Sequence, residues 1–404
     1  MNVGTISSGA TFGRSAVTIN KKKILTLFGT RPEVIKLAPV IQQLERCRRF
    51  CTVNVTSAQH TDLLYPFARL FNIRIDHDLG IMQKGQTPNQ ICARVLATLD
   101  PLLTHERPDL LLVQGDTSTA LAGALAGFHH GITIGHVEAG LRSGDTQNPY
   151  PEEMNRRLIS RLATYHFAAT AHNRLTLLAE GIPADHIFVT GNPVVDALKV
   201  VLAQNGKPSS LAVLFDATAT SKRVVLTTHR RESFGMVLGQ NLRILREFVE
   251  RHEDVALFFP VHPNPEVQKQ ATAVLSEHRR IHLLPPLEYP EFLTLLSHAW
   301  LVVSDSGGVQ EEAPTLGRPV LILRENTERP EAIAAGVARL VGGCPQRLST
   351  MLEEVYHDPA WVTSLQIKDN PFGQGDSGKR IVEAIRHIFA ISANTHIVSG
   401  VEVG

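Results

Sequence analysis

The stretch KKILTLFGTRPEVIK, residues 22–36, decides the fold. A near-continuous apolar run, a Gly-Thr step and a proline at the start of a new pattern describe a strand buried on both faces that turns at once into a helix. Pro32 suits a helix's first turn, and Thr30 is placed to cap it. The same unit recurs along the chain. KKILTLFG, TVNVTSA, DLLLVQGD, ITIGHVEAG and YHFAAT are the strand candidates of one half; RVVLTTH, VALFFPVH, IHLLPPL, AWLVVSDSG and RPVLILR are those of the other. Strands alternating with amphipathic segments at this spacing predict α/β architecture: two Rossmann-like, doubly wound parallel sheets facing each other across a cleft.

Length fits two such units. The chain has 404 residues, enough for two domains that each bury a core. The expected division is a tail over 1–20, a first domain over 21–200, a second over 201–375, and a helix and tail over 376–404 that pack back on the first domain. Forty basic residues against thirty-nine acidic ones give a formal charge of +1, so no global field favours nucleic acid or an anionic membrane. Four cysteines, including Cys47 and Cys51 one helical turn apart, are too few for a disulfide framework and have no metal-site spacing. The N-terminal stretch has its basic run last, the reverse of a secretory signal, and no apolar run approaches a membrane span. A cytoplasmic protein is expected.

Open α/β sheets bind ligands beyond the carboxyl ends of their strands. The anion-binding loop there is VVSDSGGVQEEAPTLGRP, from Val302. Ser306, Gly307 and Gly308 bring backbone N–H groups to a helix start, and Glu312 follows one turn later, where a carboxylate accepts from ribose hydroxyls. No G-x-x-x-x-G-K-[ST] and no strand-linked G-x-G-x-x-G is present, which argues against P-loop, nicotinamide and flavin chemistry. On the opposite wall Arg31 projects from a helix mouth and Lys36 follows it; with Arg329 in ENTERPEA they form a grip for a nucleoside diphosphate.

Carboxylates gather at neighbouring strand ends. Asp116 closes DLLLVQGD, where an N-cap is the plain alternative. Glu138 ends HVEAG, and Glu152 follows in the proline-bounded NPYPEE. His229, in LTTHRRESFG, ends the first strand of the second half and is expected to face them. Neighbouring buried carboxylates acquire separated pKa values and divide acid and base roles. Arginines and helix starts already supply positive charge, so no metal and no cofactor is expected.

These residues together resemble the non-hydrolysing UDP-N-acetylglucosamine 2-epimerase family. The matching stretches are FGTRPEVIKLAP, VQGDTSTALAG, HVEAGLRSGD, PEEMNRRL, VTGNPVVDAL, HRRESFG, PVHPNP, DSGGVQEEAPTLGRPVLILR and TERPEA, in order over about residues 22–342. The resemblance implies a homodimer of the GT-B arrangement that interconverts UDP-GlcNAc and UDP-ManNAc by eliminating UDP to a 2-acetamidoglucal and adding it back. It implies a catalytic set of Asp116, Glu138, Glu152 and His229, and substrate contacts at Arg31, Lys36, Arg156, Phe292, Ser306, Gly307, Gly308, Glu312 and Arg329. Many bacterial members carry a second, activating UDP-GlcNAc site. Gln59, His60, Arg230 and His262 match it, but Asp62 stands where glutamine is usual and Gly85 where arginine is expected, so activation by substrate is expected to be weakened. A C2 epimerase of another UDP-sugar, such as a 2,3-diacetamido-uronic acid, and a GT-B glycosyltransferase are the alternatives.

Overall fold

The computed structural model describes residues 21–204, 211–228, 235–365 and 370–398. Its first sheet has seven strands: β1 (Lys22–Phe28), β2 (Phe50–Thr56), β3 (His77–Asp78), β4 (Leu110–Gln114), β5 (Thr133–Ala139), β6 (Tyr165–Ala168) and β7 (Ile187–Val189). The second has six: β8 (Lys222–Thr227), β9 (Val255–Pro260), β10 (Ile281–Leu284), β11 (Leu301–Ser304), β12 (Val320–Ile322) and β13 (Ala338–Leu340). All pairings are parallel, in the orders β3-β2-β1-β4-β5-β6-β7 and β10-β9-β8-β11-β12-β13. The two sheets therefore repeat one winding plan, with the reversal of strand order between β1 and β4 and again between β8 and β11. Both reversals are the crevices at which doubly wound folds bind ligands.

The ten apolar runs form β1, β2, β4, β5, β6 and β8 to β12. Strand β1 shows why they are legible: Ile24, Leu25, Leu27 and Phe28 are all fully buried, with helices on both faces. The runs do not announce β3, β7 and β13, which are two or three residues long. Such strands hold too few side chains for a periodicity, and each depends on its neighbour in the sheet.

Helix Ser377–Val398 lies against helix Arg31–Arg46 of the first sheet's half. Its apolar face, Ile381, Val382, Ile385 and Ile388, is buried in the same core as Val34, Ala38 and Ile41. Asp196, on helix Pro193–Ala203, accepts hydrogen bonds from the amides of Ser377 (3.1 Å) and Gly378 (2.9 Å), satisfying orphan donors at the new helix's start. A Cβ on Gly378 would lie 2.8 Å from the Pro39 carbonyl oxygen. Alanine ordinarily improves a helix by about 1 kcal/mol over glycine. Here the overpacking outweighs that gain, so Gly378→Ala is expected to lower stability by about 1–2 kcal/mol in urea denaturation. A stabilised variant would contradict the close packing of the two helices.

Candidate active site

Glycine and a buried acid shape the turn after β1. A Cβ on Gly29 would lie 2.1 Å from Ser57 Oγ and 2.6 Å from Thr119 Oγ1, so only glycine lets this turn rest against the loop after β2 and the start of helix Ser118–His129. Glu33 is 1% exposed. Its Oε2 accepts from the Gly29 amide (3.0 Å) and the Thr30 hydroxyl (2.8 Å), and its Oε1 accepts from the Thr117 hydroxyl (2.8 Å). Thr30 thus donates to Glu33 and makes no side-chain cap, contrary to the sequence expectation. Arg31 is exposed at the mouth of the helix, with its guanidinium 5.8 Å from the centre of the Phe67 ring.

Lys36, one turn further and buried, enters a lattice of alternating charges that joins the two halves. Its ammonium bonds Glu138 at the end of β5 and lies 3.1 Å from Glu311 of the other half. Glu311 also accepts from Arg329 Nε (2.6 Å), and Arg329 reaches Glu328 (3.4 Å). Glu328 pairs with Arg324 at 2.7 Å and faces Arg156 at 3.9 Å. Arg156 closes the chain on Asp116 through Nε (2.8 Å) and Nη2 (2.7 Å), and touches Glu153 at 3.3 Å. Burial disfavours the Lys36 ammonium, but Glu138 and Glu311 outweigh it and raise its pKa. Burial raises the Glu138 carboxyl, whereas for Glu311 the attraction of Arg329 and Lys36 overcomes burial and lowers it. Two neighbouring carboxylates are thus driven apart by unequal access to cations.

Backbone geometry aims Glu138. It has φ 65°, and the β5–β6 register shifts between Val137 and Ala139. A bulge of this kind turns a side chain out of the strand's alternation at a cost the surrounding contacts offset. Gln114 Nε2 and Asn192 Nδ2 (3.1 Å) both donate to it.

Asp116 is not the helix cap. Thr117 caps helix Ser118–His129 by accepting from the Ala120 amide at 3.0 Å, which leaves the Asp116 carboxylate to Arg156. The loop is fixed by Asn155, whose amide donates to the Asp116 carbonyl (2.8 Å), and by His136 Nε2, which donates to the Gly115 carbonyl (2.7 Å). Burial holds His136 down at about 4, so it is neutral here. Glu152 sits half-buried in the first turn of helix Glu152–Leu162, while its neighbour Glu153 is fully buried and accepts from the Ser143 amide (2.9 Å) and from Arg157 (3.0 Å).

On the second wall Ser306 caps helix Gly307–Glu312 by accepting from the Val309 amide at 3.4 Å. Gly307 makes room for the Arg329 guanidinium, since a Cβ would meet its Nη1 at 2.6 Å; Gly308 is open. Glu312 accepts from the Tyr289 hydroxyl at 2.8 Å, and burial pushes its carboxyl up to about 7. Phe292 is half-buried on helix Tyr289–Ser297 against the same core. His229 and Arg230 lie outside the described residues. Gln59 is buried and accepts from Thr119 Oγ1 (2.8 Å), and the amide of His60 donates to Gly29 at 3.0 Å, placing both beside the β1 turn. Half-buried His262, just past β9, accepts from the Asn264 amide at 3.1 Å. Among the described residues no group of three or more His, Cys, Asp or Glu is arranged to hold a metal. Sequence reasoning missed Glu33, Gln114, Asn192, Tyr289, Glu311, Arg324 and Glu328. Four of them belong to the same motif stretches, GTRPE, VQGD, QEEAP and TERPE, so adjacency to an already suspected residue was the available signal.

The family described as UDP-N-acetylglucosamine 2-epimerase matches residues 42–386. The chain belongs to this family. A UDP-N-acetylglucosamine 2-epimerase of Salmonella typhimurium is 44% identical over 369 residues, covering 90% of this chain and 98% of that one. The crystal structure of UDP-GlcNAc 2-epimerase from Neisseria meningitidis bound to UDP-GlcNAc is 39% identical with TM-score 0.84, covering 90% and 100%. That of the Methanocaldococcus jannaschii enzyme in complex with UDP-GlcNAc and UDP is 35% identical with TM-score 0.75, covering 90% and 99%.

Burial pushes the Glu33 carboxyl up to about 7 from 4.5 against the pull of its three hydrogen-bond donors. The folded state therefore keeps a proton that the unfolded state releases, and stability declines as pH rises from about 4.5 to 7, by on the order of 3 kcal/mol. Glu33→Gln removes this titration. Urea denaturation at pH 5 and pH 8 is expected to show the variant gaining stability on the natural chain by about 2–3 kcal/mol between the two pH values. An equal difference at both would show that Glu33 ionises normally.

Proposed function

We propose that the protein interconverts UDP-N-acetylglucosamine and UDP-N-acetylmannosamine. The observation that carries this reading is the buried alternation of carboxylates and cations at the strand ends of both sheets, in a chain of the epimerase family. The hydrogen at C2 of such a sugar is not next to a carbonyl, so its simple removal gives a poor carbanion. Elimination avoids that problem. A carboxylate takes the C2 proton, the C–H electron pair forms the C1=C2 bond, and the C1–O bond breaks with its pair leaving on UDP. The product is a 2-acetamidoglucal. Addition of the UDP oxygen to C1, with a proton delivered to the other face of C2, completes the inversion. The sequence is redox-neutral and returns every proton.

In this reading Asp116 and Glu152 transfer protons at C2, one on each face. Both Arg156 nitrogens address Oδ2 of Asp116, so the guanidinium orients the carboxylate and leaves Oδ1 for the proton. Glu138 supports positive charge developing at C1 and is aimed by its bulge. Lys36, Arg156 and Arg329, with Arg31 at the rim, are the cations for the departing diphosphate, and His229 acts on the same group. Ser306, Gly307 and Gly308 offer the turn that receives it; Glu312 accepts from the ribose, beside Phe292. Residues 21–200 and 201–375 are the domains that close over the sugar, the helix within 376–404 returns to the first, and the working unit is a homodimer. Gln59, His60, Arg230 and His262 form at most a weakened second nucleotide-sugar site.

The elimination is tested with UDP-GlcNAc carrying ¹⁸O in the bridge between C1 and the β-phosphorus. Breaking C1–O makes the β-phosphate oxygens equivalent, so label recovered in substrate is expected in non-bridging positions. Epimerisation with the label held in the bridge would contradict the mechanism. Asp116→Asn and Glu152→Gln are each expected to slow UDP-ManNAc formation about 100-fold or more. Undiminished turnover by either variant would remove that residue from the proton-transfer pair.

A further inference from the structure

The segment 324–331 carries Arg329 and meets the first half of the molecule through contacts of two chemical kinds. One is ionic: Glu328 faces Arg156 at 3.9 Å, and Arg329 is tied through Glu311 to Lys36. These cations are the ones assigned to the diphosphate, so an entering ligand competes directly with Glu311 and Glu328 for them. The other contact is neutral on its receiving side. Glu331 Oε1 accepts from the Thr170 hydroxyl and from Asn173 Nδ2 (3.3 Å), at the first turn of helix Ala171–Ala179. Neither donor has a place in the substrate site, so ligand binding does not compete for it.

The seat for Glu331 is already formed. Thr170 and Asn173 cap the helix reciprocally: Thr170 Oγ1 accepts from the Asn173 amide, and Asn173 Oδ1 accepts from the Thr170 amide, both at 3.1 Å. Thr170 therefore has its hydroxyl proton, and Asn173 its Nδ2, left to point at a carboxylate. A negative charge at the start of a helix is also favoured by its dipole. This turn abuts the catalytic strand. Gly140, at φ 92°, comes so close that a Cβ would lie 2.4 Å from the Asn173 carbonyl oxygen. Two residues before Gly140 stands Glu138. The path from Arg329 through Glu331, Asn173 and Gly140 to Glu138 is thus short, packed and independent of ligand charge.

Resting on the epimerase reading, we infer that Glu331 is a positioning residue: its contact with Thr170 and Asn173 keeps the Arg329 segment seated on the first half throughout turnover, retaining the unsaturated sugar and UDP until they recombine. The consequence is specific. Loosening this tie changes the fate of the intermediate, because re-addition then competes with escape.

The test measures 2-acetamidoglucal and UDP released per UDP-ManNAc formed, by proton NMR and product chromatography, in the full-length protein. Glu331→Ala removes the acceptor. Asn173→Asp keeps the oxygen that caps Thr170 but sets a carboxylate oxygen against Glu331, so it breaks the tie without removing the cap. Both are expected to raise the release ratio about fivefold or more. The double variant Asn173→Asp/Glu331→Gln, in which an amide again faces a carboxylate, is expected to return the ratio to within about twofold of the natural chain. A role in stability alone lowers all rates together; an unchanged ratio in an active Asn173→Asp protein would overturn the inference even if Glu331→Ala does not fold. A natural chain with no epimerase activity would instead refute the function on which the inference rests.

Discussion

The lysine ammonium of residue 36, buried between Glu138 at the end of β5 and Glu311 on helix Gly307–Glu312 of the other half, sets the constraint on which the rest depends. An ion taken out of water without a partner costs several kcal/mol even after relaxation, so each of these groups stays charged only while its neighbours do. The lattice extends from Lys36 to Asp116 because every carboxylate in it is compensated by an ammonium or guanidinium. That requirement brings the carboxyl ends of both sheets together. Within each half a glycine shapes the strand-end turn: Gly29 admits Ser57 and Thr119, and Gly307 admits the Arg329 guanidinium. A lattice of this kind is weak evidence of stability, since an apolar contact of equal volume often does as well. Its worth lies in holding charge ready in a place that excludes water.

The charge balance also explains how one site handles both a sugar and a departing anion. With carboxylates paired to Lys36, Arg156 and Arg329, the cleft is nearly neutral without ligand. In the proposed mechanism a diphosphate replaces Glu311 and Glu328 as partner for these cations, while Asp116 keeps its contact with Arg156 through Oδ2. Dipoles and charges already fixed in place stabilise developing charge without reorganising, which is the larger share of what such a site contributes.

Much of this was legible in the sequence. The ten runs of Val, Ile, Leu and Phe marked ten of the thirteen described strands, edge strand β10 among them, because strands buried on two faces leave no polar alternation to confuse the reading. Asp116 and Glu138 stood out because strand ends carry function in this architecture. Other parts were hidden for physical reasons. Glu33, in the first turn of its helix, has the position of any acid that favours a helix dipole, and nothing local reveals that the β4 loop closes over it. Glu311, Glu328 and Glu331 pair with residues far away in the chain, so spacing along the sequence says nothing of their partners. Asp116 read equally well as a cap because Thr117 beside it is also a good one. The edge strands β3, β7 and β13 are two or three residues long and have no period, whereas β12, equally short, sits in the longer apolar run 320–323. The strand-end histidine, His229, falls outside the described residues.

Proton exchange at C2 is the most direct signature of the elimination. The purified protein is incubated with UDP-GlcNAc in D₂O, with a chelator and no added cofactor, and followed by proton NMR. UDP-ManNAc is expected to accumulate with deuterium at C2, and deuterium to enter the recovered UDP-GlcNAc as the reaction reverses. UDP-ManNAc that keeps its original C2 hydrogen would contradict the elimination, because no carboxylate of the lattice would then have taken that proton.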